Sequence, residues 1–216
     1  MKGFLIKLKF FLIKIKLVFI RLGWRIKRNI VNPKLPVNED GKVYVNLGCG
    51  ANTGKEFINI DTVVMPHTHY ITDITELYMF PNESIDLLYA AHVLEHIKRS
   101  KLKKTLKEWY RVLKIGGVFR FGVPDFDQLI EVYEANSRDV NSVIFQIMGS
   151  EGEYDDHHTI WNYNFAKKIM EETGFKEVRR WDYKNTDHHD FNDKTSRIIK
   201  AGDKDLLISL NLEAVK

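Results

Sequence analysis

Cysteine is nearly absent from this chain: Cys49 is the only one in 216 residues. That excludes a disulfide scaffold and a cysteine-rich zinc site, and it fits a reducing compartment. Long apolar runs are missing too. A membrane-spanning helix needs about 20 mostly apolar residues, and basic residues interrupt every stretch that approaches this length. There is no uninterrupted apolar segment followed by a small-residue cleavage site, so no secretory signal is expected. The pattern G-x-x-x-x-G-K-[ST] does not occur, which excludes a P-loop. Apolar residues make up 44% and charged residues 29%, an ordinary globular mix. The length suits one domain with an appendage.

Acid is missing from the first thirty residues, which hold nine Lys or Arg and carry +9; the remaining 24 basic and 29 acidic residues give −5. The body is therefore mildly acidic, which argues against nucleic acid as a partner. At 100° per residue, Phe4, Leu5, Leu8, Phe11, Leu12, Ile15, Val18, Phe19, Leu22 and Ile26 fall within one broad arc. Lys7, Lys14, Arg21, Arg25 and Arg28 line one border of that arc, and Lys2, Lys9, Lys16 and Lys27 the other. Residues 1–31 thus read as a basic amphipathic helix suited to an anionic membrane surface, where each basic residue contributes about 1 kcal/mol. Packing on the body or on a protein partner is the alternative. Residues 32–41, with Pro33 and Pro36, read as a linker, and residues 42–216 as the folded domain.

In that domain Val43–Leu47 is a β-rich run leading into Gly48-Cys49-Gly50. Glycines let the backbone approach a ligand closely and take positive φ. A second strand, Phe57–Ile60, ends at Asp61, and an acid placed there can accept hydrogen bonds from a ribose diol. A dinucleotide fingerprint needs a third glycine and an acid about 20 residues on. Here Thr53 takes the glycine position, Asp61 comes early, and no normal helix fits between Gly50 and Phe57. The loop thus suits a nucleoside without a pyrophosphate.

A third strand spans 69–74 and contains Asp73; a fourth, 84–90, runs into Ala91-His92-Val93-Leu94-Glu95-His96. Apolar residues at Leu102, Leu106, Trp109, Tyr110 and Leu113 predict a helix over 99–113, ended by Gly116-Gly117. Val118–Val123 is a fifth strand, 165–174 a further helix, and Val178–Trp181 a sixth strand. Alternating strands and helices predict an α/β domain with a mainly parallel sheet. Ligands in such sheets bind beyond the strands' carboxyl ends, where Gly48, Asp61, Asp73 and His92 all fall.

With these residues in place, the chain resembles the class I S-adenosylmethionine-dependent methyltransferases over residues 42–216. The motifs are VYVNLGCG (43–50), FINID (57–61), Thr72-Asp73-Ile74, IDLLYAAHVLEHI (85–97) and LKEWYRVLKIGGVFRFGVP (106–124). VPDFD (123–127) and LISLNLEAVK (207–216) are similar to a subgroup associated with cell-surface polysaccharide biosynthesis. The resemblance implies a Rossmann-like seven-stranded, mainly parallel sheet with helices on both faces, its last strand (205–213) antiparallel. It implies S-adenosylmethionine as cofactor. Gly48, Cys49 and Gly50 would cradle its methionine part, Asp61 its ribose, and Asp73 and Ile74 its adenine. Ala90, Ala91 and His92 would line the cofactor and acceptor side. Asn46 stands near the end of the first strand, where many relatives carry an acid; it can still hydrogen-bond the cofactor's amino group.

His92–His96 also matches H-x-x-E-H, an inverted zinc-protease signature. Its place at a strand end within the methyltransferase pattern argues against a protease. Glu95 and His96 read as structural, His92 as a catalytic candidate, and no metal is expected. The segment GSEGEYDDHHTIWNYN (149–164) reads as a substrate loop. A hydroxyl acceptor needs a base, and His157 and His158 are candidates, oriented by Asp155 or Asp156. Tyr154, Trp161 and Tyr163 could stack on a sugar. His188, His189, Asp190 and Asp193 read as turn and cap residues.

The expected activity is methyl transfer to a hydroxyl of a saccharide or lipid-linked saccharide. The enzyme would be cytoplasmic, peripheral on the inner face of the cell membrane and anchored by residues 1–31. A lipid or quinone-like acceptor, with metal assistance through His92, Glu95 and His96, is a second reading. A non-catalytic scaffold is a third.

Overall fold

Val45, Leu47, Leu88 and Ala90 are fully buried, as strands flanked on both sides and covered on both faces must be. These residues lie in the centre of the sheet. A computed structural model describes residues 22, 23, 26, 34–150, 155–189 and 191–216. The strands are β1 (Tyr44–Leu47), β2 (Phe57–Asp61), β3 (Tyr70–Ile71), β4 (Ile85–Ala91), β5 (Leu113–Pro124), β6 (Lys176–Arg180), β7 (Ile198–Ala201), β8 (Lys204–Leu207) and β9 (Ser209–Val215). The α-helices are α1 (Arg99–Val112), α2 (Phe126–Ala135), α3 (Ile144–Met148) and α4 (Tyr163–Thr173). Seven strands form one sheet in the order β3-β2-β1-β4-β5-β9-β6, and β7 and β8 form a separate hairpin. β1 to β5 pair in parallel, and β9 enters antiparallel to both β5 and β6. This is a Rossmann-like α/β architecture. No helix among the described residues is long and apolar enough to cross a membrane.

One sheet face carries Val45, Leu47, Leu88, Ala90, Phe119, Phe121 and Leu212. α1 packs on it through Leu102, Leu106 and Trp109, and α4 through Ala166, Ile169 and Met170. α1 has its apolar residues at three- and four-residue spacing, so they share one stripe. Trp109 is fully buried and its indole N–H donates to the Ile74 carbonyl at 2.8 Å. Asn162 caps α4 by accepting from the Phe165 N–H, and Gly174 closes it at φ +119°.

The other face differs from the expectation of helices on both sides. It carries Tyr44, Leu87 and Tyr89, covered by Trp181, Tyr183 and Phe191 from the chain after β6. The crossovers 48–56 and 62–69 contain no helix, because eight or nine residues cannot hold a helix and both its turns. A polar cluster pins the cover. The Arg120 guanidinium pairs with Glu213 at 2.7 Å, donates to the Asp187 carbonyl at 2.6 Å, and lies 5.4 Å from the Trp181 ring.

Other boundaries also move. α1 ends at Val112, and Leu113 is already extended, so Gly116 and Gly117 lie inside β5 rather than ending the helix. They accommodate a bulge: between Ile85↔Leu113 and Leu87↔Val118 the register shifts. The run 205–213 is not one strand. Ile208 interrupts it, packing with Leu129, Val132 and Ala201 in a small second core built from α2 and the hairpin. The third strand shortens to Tyr70–Ile71, and the sixth starts at Lys176. The amphipathic segment 1–31 lies outside the described residues, apart from Leu22, Gly23 and Ile26.

Candidate active site

The β1 turn supplies two glycines with φ of +61° (Gly48) and +51° (Gly50). A Cβ on Gly48 would lie 2.6 Å from a Val93 methyl, whereas one on Gly50 would meet nothing within 4 Å. Between them the Cys49 thiol is buried 4.0 Å from the Thr68 hydroxyl, and burial pushes it up to about 12. It stays protonated and is no nucleophile. Asp61 ends β2 almost fully buried. Its Oδ2 accepts from the Gly50 N–H and its Oδ1 from the Val63 N–H, both at 2.7 Å. This ties the glycine turn to the second strand and leaves acceptor capacity on both oxygens. Asn46 is buried beside the turn, with Nδ2 donating to Asn59 Oδ1 at 3.3 Å and Asn52 O at 3.4 Å. Asp73 is exposed after β3 and accepts from the Thr75 N–H at 2.9 Å.

β4 ends in strain. His92 has φ +52°, a conformation that costs a non-glycine residue on the order of 1–3 kcal/mol and clusters at functional sites. Its N–H donates to the Gly122 carbonyl at 2.7 Å. Its Nδ1 lies 3.1 Å from Glu95 Oε1, and its Nε2 lies 3.0 Å from the Ser209 hydroxyl. Glu95 is fully buried in the single turn 94–96. Burial works to raise its carboxyl, but the facing His92 ring, and then His96, hold it below the ordinary carboxylate value.

The segment 155–161 is bound to the turn 94–96. The His158 and Thr159 N–H groups donate to the Glu95 carbonyl at 2.7 and 3.3 Å, and the Thr159 hydroxyl donates to the Leu94 carbonyl at 3.2 Å. Trp161 closes the arrangement by donating from its indole to the Thr159 hydroxyl at 2.8 Å.

Together these parts surround a cavity of about 650 Å³ beyond the carboxyl ends of the strands. Asn46, Gly48, Cys49, Gly50, Asp61, Asp73, Ile74, Ala91, His92 and His158 all line it. Ala90 does not: it faces the helix-covered core and is fully buried. His157 does not line it either. Its Nδ1 bonds the Gln146 carbonyl at 3.0 Å, and burial holds its imidazole below the ordinary value against the pull of Glu95. Among the described residues the exposed His158 ring has no partner, whereas both His92 nitrogens are engaged.

Three side-chain expectations change. Neither the Asp155 nor the Asp156 carboxylate bonds His157 or His158; Asp155 lies instead 3.8 Å from His96. Trp161 is 1% exposed and packs against Phe121 and Phe165, so it cannot stack on an acceptor. The Tyr163 hydroxyl bonds the Val178 carbonyl under the Arg180 guanidinium, away from the cavity. Tyr154 and Asp190 lie outside the described residues.

The chain after β6 contributes more than turns. Asp193 does cap the turn 194–196, accepting from the Thr195 N–H at 2.8 Å. It also accepts from the Tyr89 hydroxyl, and Tyr89, Phe191, Asp193 and Lys194 all line the cavity. The alternation Leu87-Tyr89-Ala91 put Tyr89 on this face in the sequence, but nothing local announced that residues 191–194 would fold over it.

Residues 46–121 match a family model described as a methyltransferase domain. The matched stretch runs from β1 into β5 and carries the glycine turn, Asp61, Asp73 and His92. The matched stretch and the fold are those of an S-adenosylmethionine-dependent methyltransferase. Its fold is similar to that of a SAM-dependent methyltransferase from Archaeoglobus fulgidus, with TM-score 0.51 and 16% identity over 89% of this chain and 91% of that one. It is also similar to a possible histamine N-methyltransferase from Thermotoga maritima, with TM-score 0.50 and 14% identity over 81% and 82% of the two chains. At these identities the likeness is one of fold. No curated protein matches the chain.

The methyltransferase's residues fit its cofactor. Gly50 leaves open space where any other residue would put a side chain, and the Asp61 carboxylate, fixed by two N–H groups, is an acceptor suited to a ribose diol. The five lining aspartates, Asp61, Asp73, Asp155, Asp156 and Asp193, outnumber the three lining lysines, Lys98, Lys101 and Lys194, and leave the walls the sign that attracts a cationic sulfonium.

Proposed function

We propose that the enzyme methylates a hydroxyl group of a saccharide or lipid-linked saccharide at an anionic membrane surface. The observation that carries the chemistry is His158, an exposed imidazole without a partner among the described residues, in the wall of the same cavity as Gly50 and Asp61. When bound, S-adenosylmethionine supplies an electrophilic methyl group on a positively charged sulfur. Gly48, Gly50 and Asp61 position the cofactor, and Asn46, Asp73 and Ile74 bound the space around it. A ring nitrogen of His158 would take the acceptor's hydroxyl proton as the acceptor oxygen bonds the methyl carbon and the methyl–sulfur bond breaks, the cofactor leaving as a neutral thioether. The His158 and Thr159 N–H groups tie this segment to the turn 94–96, which fixes the His158 backbone at the cavity wall. His92 is strained and lines the wall, with its Nδ1 facing the buried Glu95 and its Nε2 the buried Ser209 behind it.

Two features support the acceptor class. The motifs VPDFD and LISLNLEAVK resemble a subgroup associated with surface polysaccharides. Lys98, Lys101 and Lys194 stand among the acids in the cavity wall and suit an acceptor carrying phosphate. The membrane location rests on the pattern of residues 1–31. A cytoplasmic position on the inner face, with no nucleic acid among the partners, follows the same charge division.

The test is transfer of labelled methyl from S-adenosylmethionine to nucleotide-linked and lipid-linked sugars by the full chain. His158→Gln should lower kcat by about 10²–10⁴-fold with little change in cofactor affinity. Methylation of amines but not hydroxyls, or an unchanged kcat in the variant, would overturn the assignment.

A further inference from the structure

Behind the cavity wall, reaching it through His96, lies a second cluster. A ligating atom from each of Glu95, His96 and His157 lies within 4.8 Å of the other two. The imidazoles meet nearly edge to face, with centroids 4.8 Å apart. In both rings Nδ1 is already bonded to a backbone carbonyl: His96 to Asp156 at 3.2 Å, and His157 to Gln146 at 3.0 Å. That is how metal-bound histidines are oriented, since the carbonyl fixes the tautomer and frees Nε2 as a lone-pair donor. The independent observation is Glu95. Its side chain is fully buried, and neither carboxylate oxygen has a hydrogen-bond partner. Oε1 lies 3.1 Å from His92 Nδ1 but outside hydrogen-bond alignment. Oε2 faces no donor among the described residues. A buried carboxylate that faces one imidazole but has no aligned hydrogen bond is costly.

We propose that Glu95, His96 and His157 bind one divalent transition-metal ion of the Zn²⁺ class. Two imidazoles and one carboxylate are a donor set that such ions favour, with a further position open. Tetrahedral ligands at 2.0–2.1 Å stand roughly 3.4 Å apart, so the three side chains draw together by small rotations on binding. Asp155 Oδ1, 3.8 Å from His96 Nε2, stands next to the open position. His96 also lines the cavity, so the ion sits at the cavity wall and joins segment 155–159 to the turn 94–96. The site differs from the one the sequence suggested: His92 gives its Nδ1 side to Glu95, and His157, 61 residues beyond His96, takes its place. Binding by these residues requires no particular acceptor.

The test uses untagged full-length protein stripped with a chelator and then titrated with Co²⁺, followed by visible absorption and by thermal denaturation. The expected result is one equivalent bound, with a tetrahedral-type absorption and a raised Tm. Zn²⁺ should displace the cobalt. His157→Ala and His96→Ala should each weaken binding by more than about 100-fold, since even losing a residue that merely orients a ligand costs 10–100-fold. Both should abolish the Tm rise, whereas His158→Ala should keep both signals. Circular dichroism of the metal-free variants shows whether they fold; Glu95→Gln serves as the third arm if either histidine variant does not. Absence of stoichiometric binding by folded wild-type protein would overturn the site. So would binding that survives all three substitutions.

Discussion

Gly48 and Gly50 share a left-handed backbone, yet a methyl group added to each would meet different surroundings. At Gly48 it would strike Val93, which is part of the main core. At Gly50 it would enter empty cavity. Each substitution carries the left-handed penalty of about 1–2 kcal/mol. Gly48→Ala adds a steric clash and should lower both stability and cofactor affinity. Gly50→Ala should lose only about that penalty in stability while its affinity for S-adenosylmethionine drops at least tenfold. Calorimetric titration beside thermal denaturation separates the two; equal stability losses would show that Gly50 does not face the ligand. Asp61 is the third residue of this turn. Asp61→Ala removes the acceptor for Gly50 and Val63, and hydrogen bonds to a charged group are each worth about 1.5–3 kcal/mol. Calorimetry should show S-adenosylmethionine binding at least tenfold weaker, and unchanged affinity would remove Asp61 from the cofactor site. These residues were legible from the sequence because their signal is local: a glycine turn after a β-rich run, and an acid at the next strand's end.

At the scale of elements, legibility followed contact range. α1 was readable within a residue or two because its stripe is set by spacing alone. The covered second face was not readable, because its cover, from Trp181 to Phe191, comes about 60 residues after β5 and 90 or more after β1 and β4, the strands it shields. The alternation in β5 places Arg120 on that face, and a charge there predicts a partner without naming it. The partner is Glu213, across the antiparallel β5–β9 pair. Both side chains are about 9% exposed, so removing one member leaves a buried charge at a cost of up to about 3–5 kcal/mol, the Arg120 variant losing the less because Arg179 still reaches Glu213 Oε2 at 3.2 Å. Urea denaturation should place Arg120→Met and Glu213→Gln in that range, with the double variant Arg120→Met, Glu213→Leu recovering much of the loss. The same cover carries Phe191 and Asp193 into the cavity, so Arg120→Met should also weaken acceptor turnover. A double variant no better than the singles would mean that the hydrogen bond to Asp187, not the ion pair, holds the segment.

The whole molecule divides by charge, +9 in the first thirty residues against −5 in the rest. An acidic body is repelled by an anionic bilayer, so any attraction to one must come from the N-terminal segment. If residues 1–31 form the amphipathic helix their sequence pattern suggests, its apolar arc and basic borders would make different contributions. Insertion of the arc would be insensitive to salt, whereas each basic residue would add about 1 kcal/mol only on an anionic surface. Reversing Lys7, Lys14 and Arg21 to Glu in the full chain leaves the arc intact and changes the local charge from +9 to +3. Flotation with vesicles containing anionic lipid should recover wild-type protein at low salt and much less of the variant. Neutral vesicles should recover little of either. Equal recovery of both proteins on anionic vesicles would separate binding from the charge pattern and favour packing of segment 1–31 on protein. The enzyme would then have to meet its acceptor away from the bilayer, and free nucleotide-linked sugars would become the first substrates to assay.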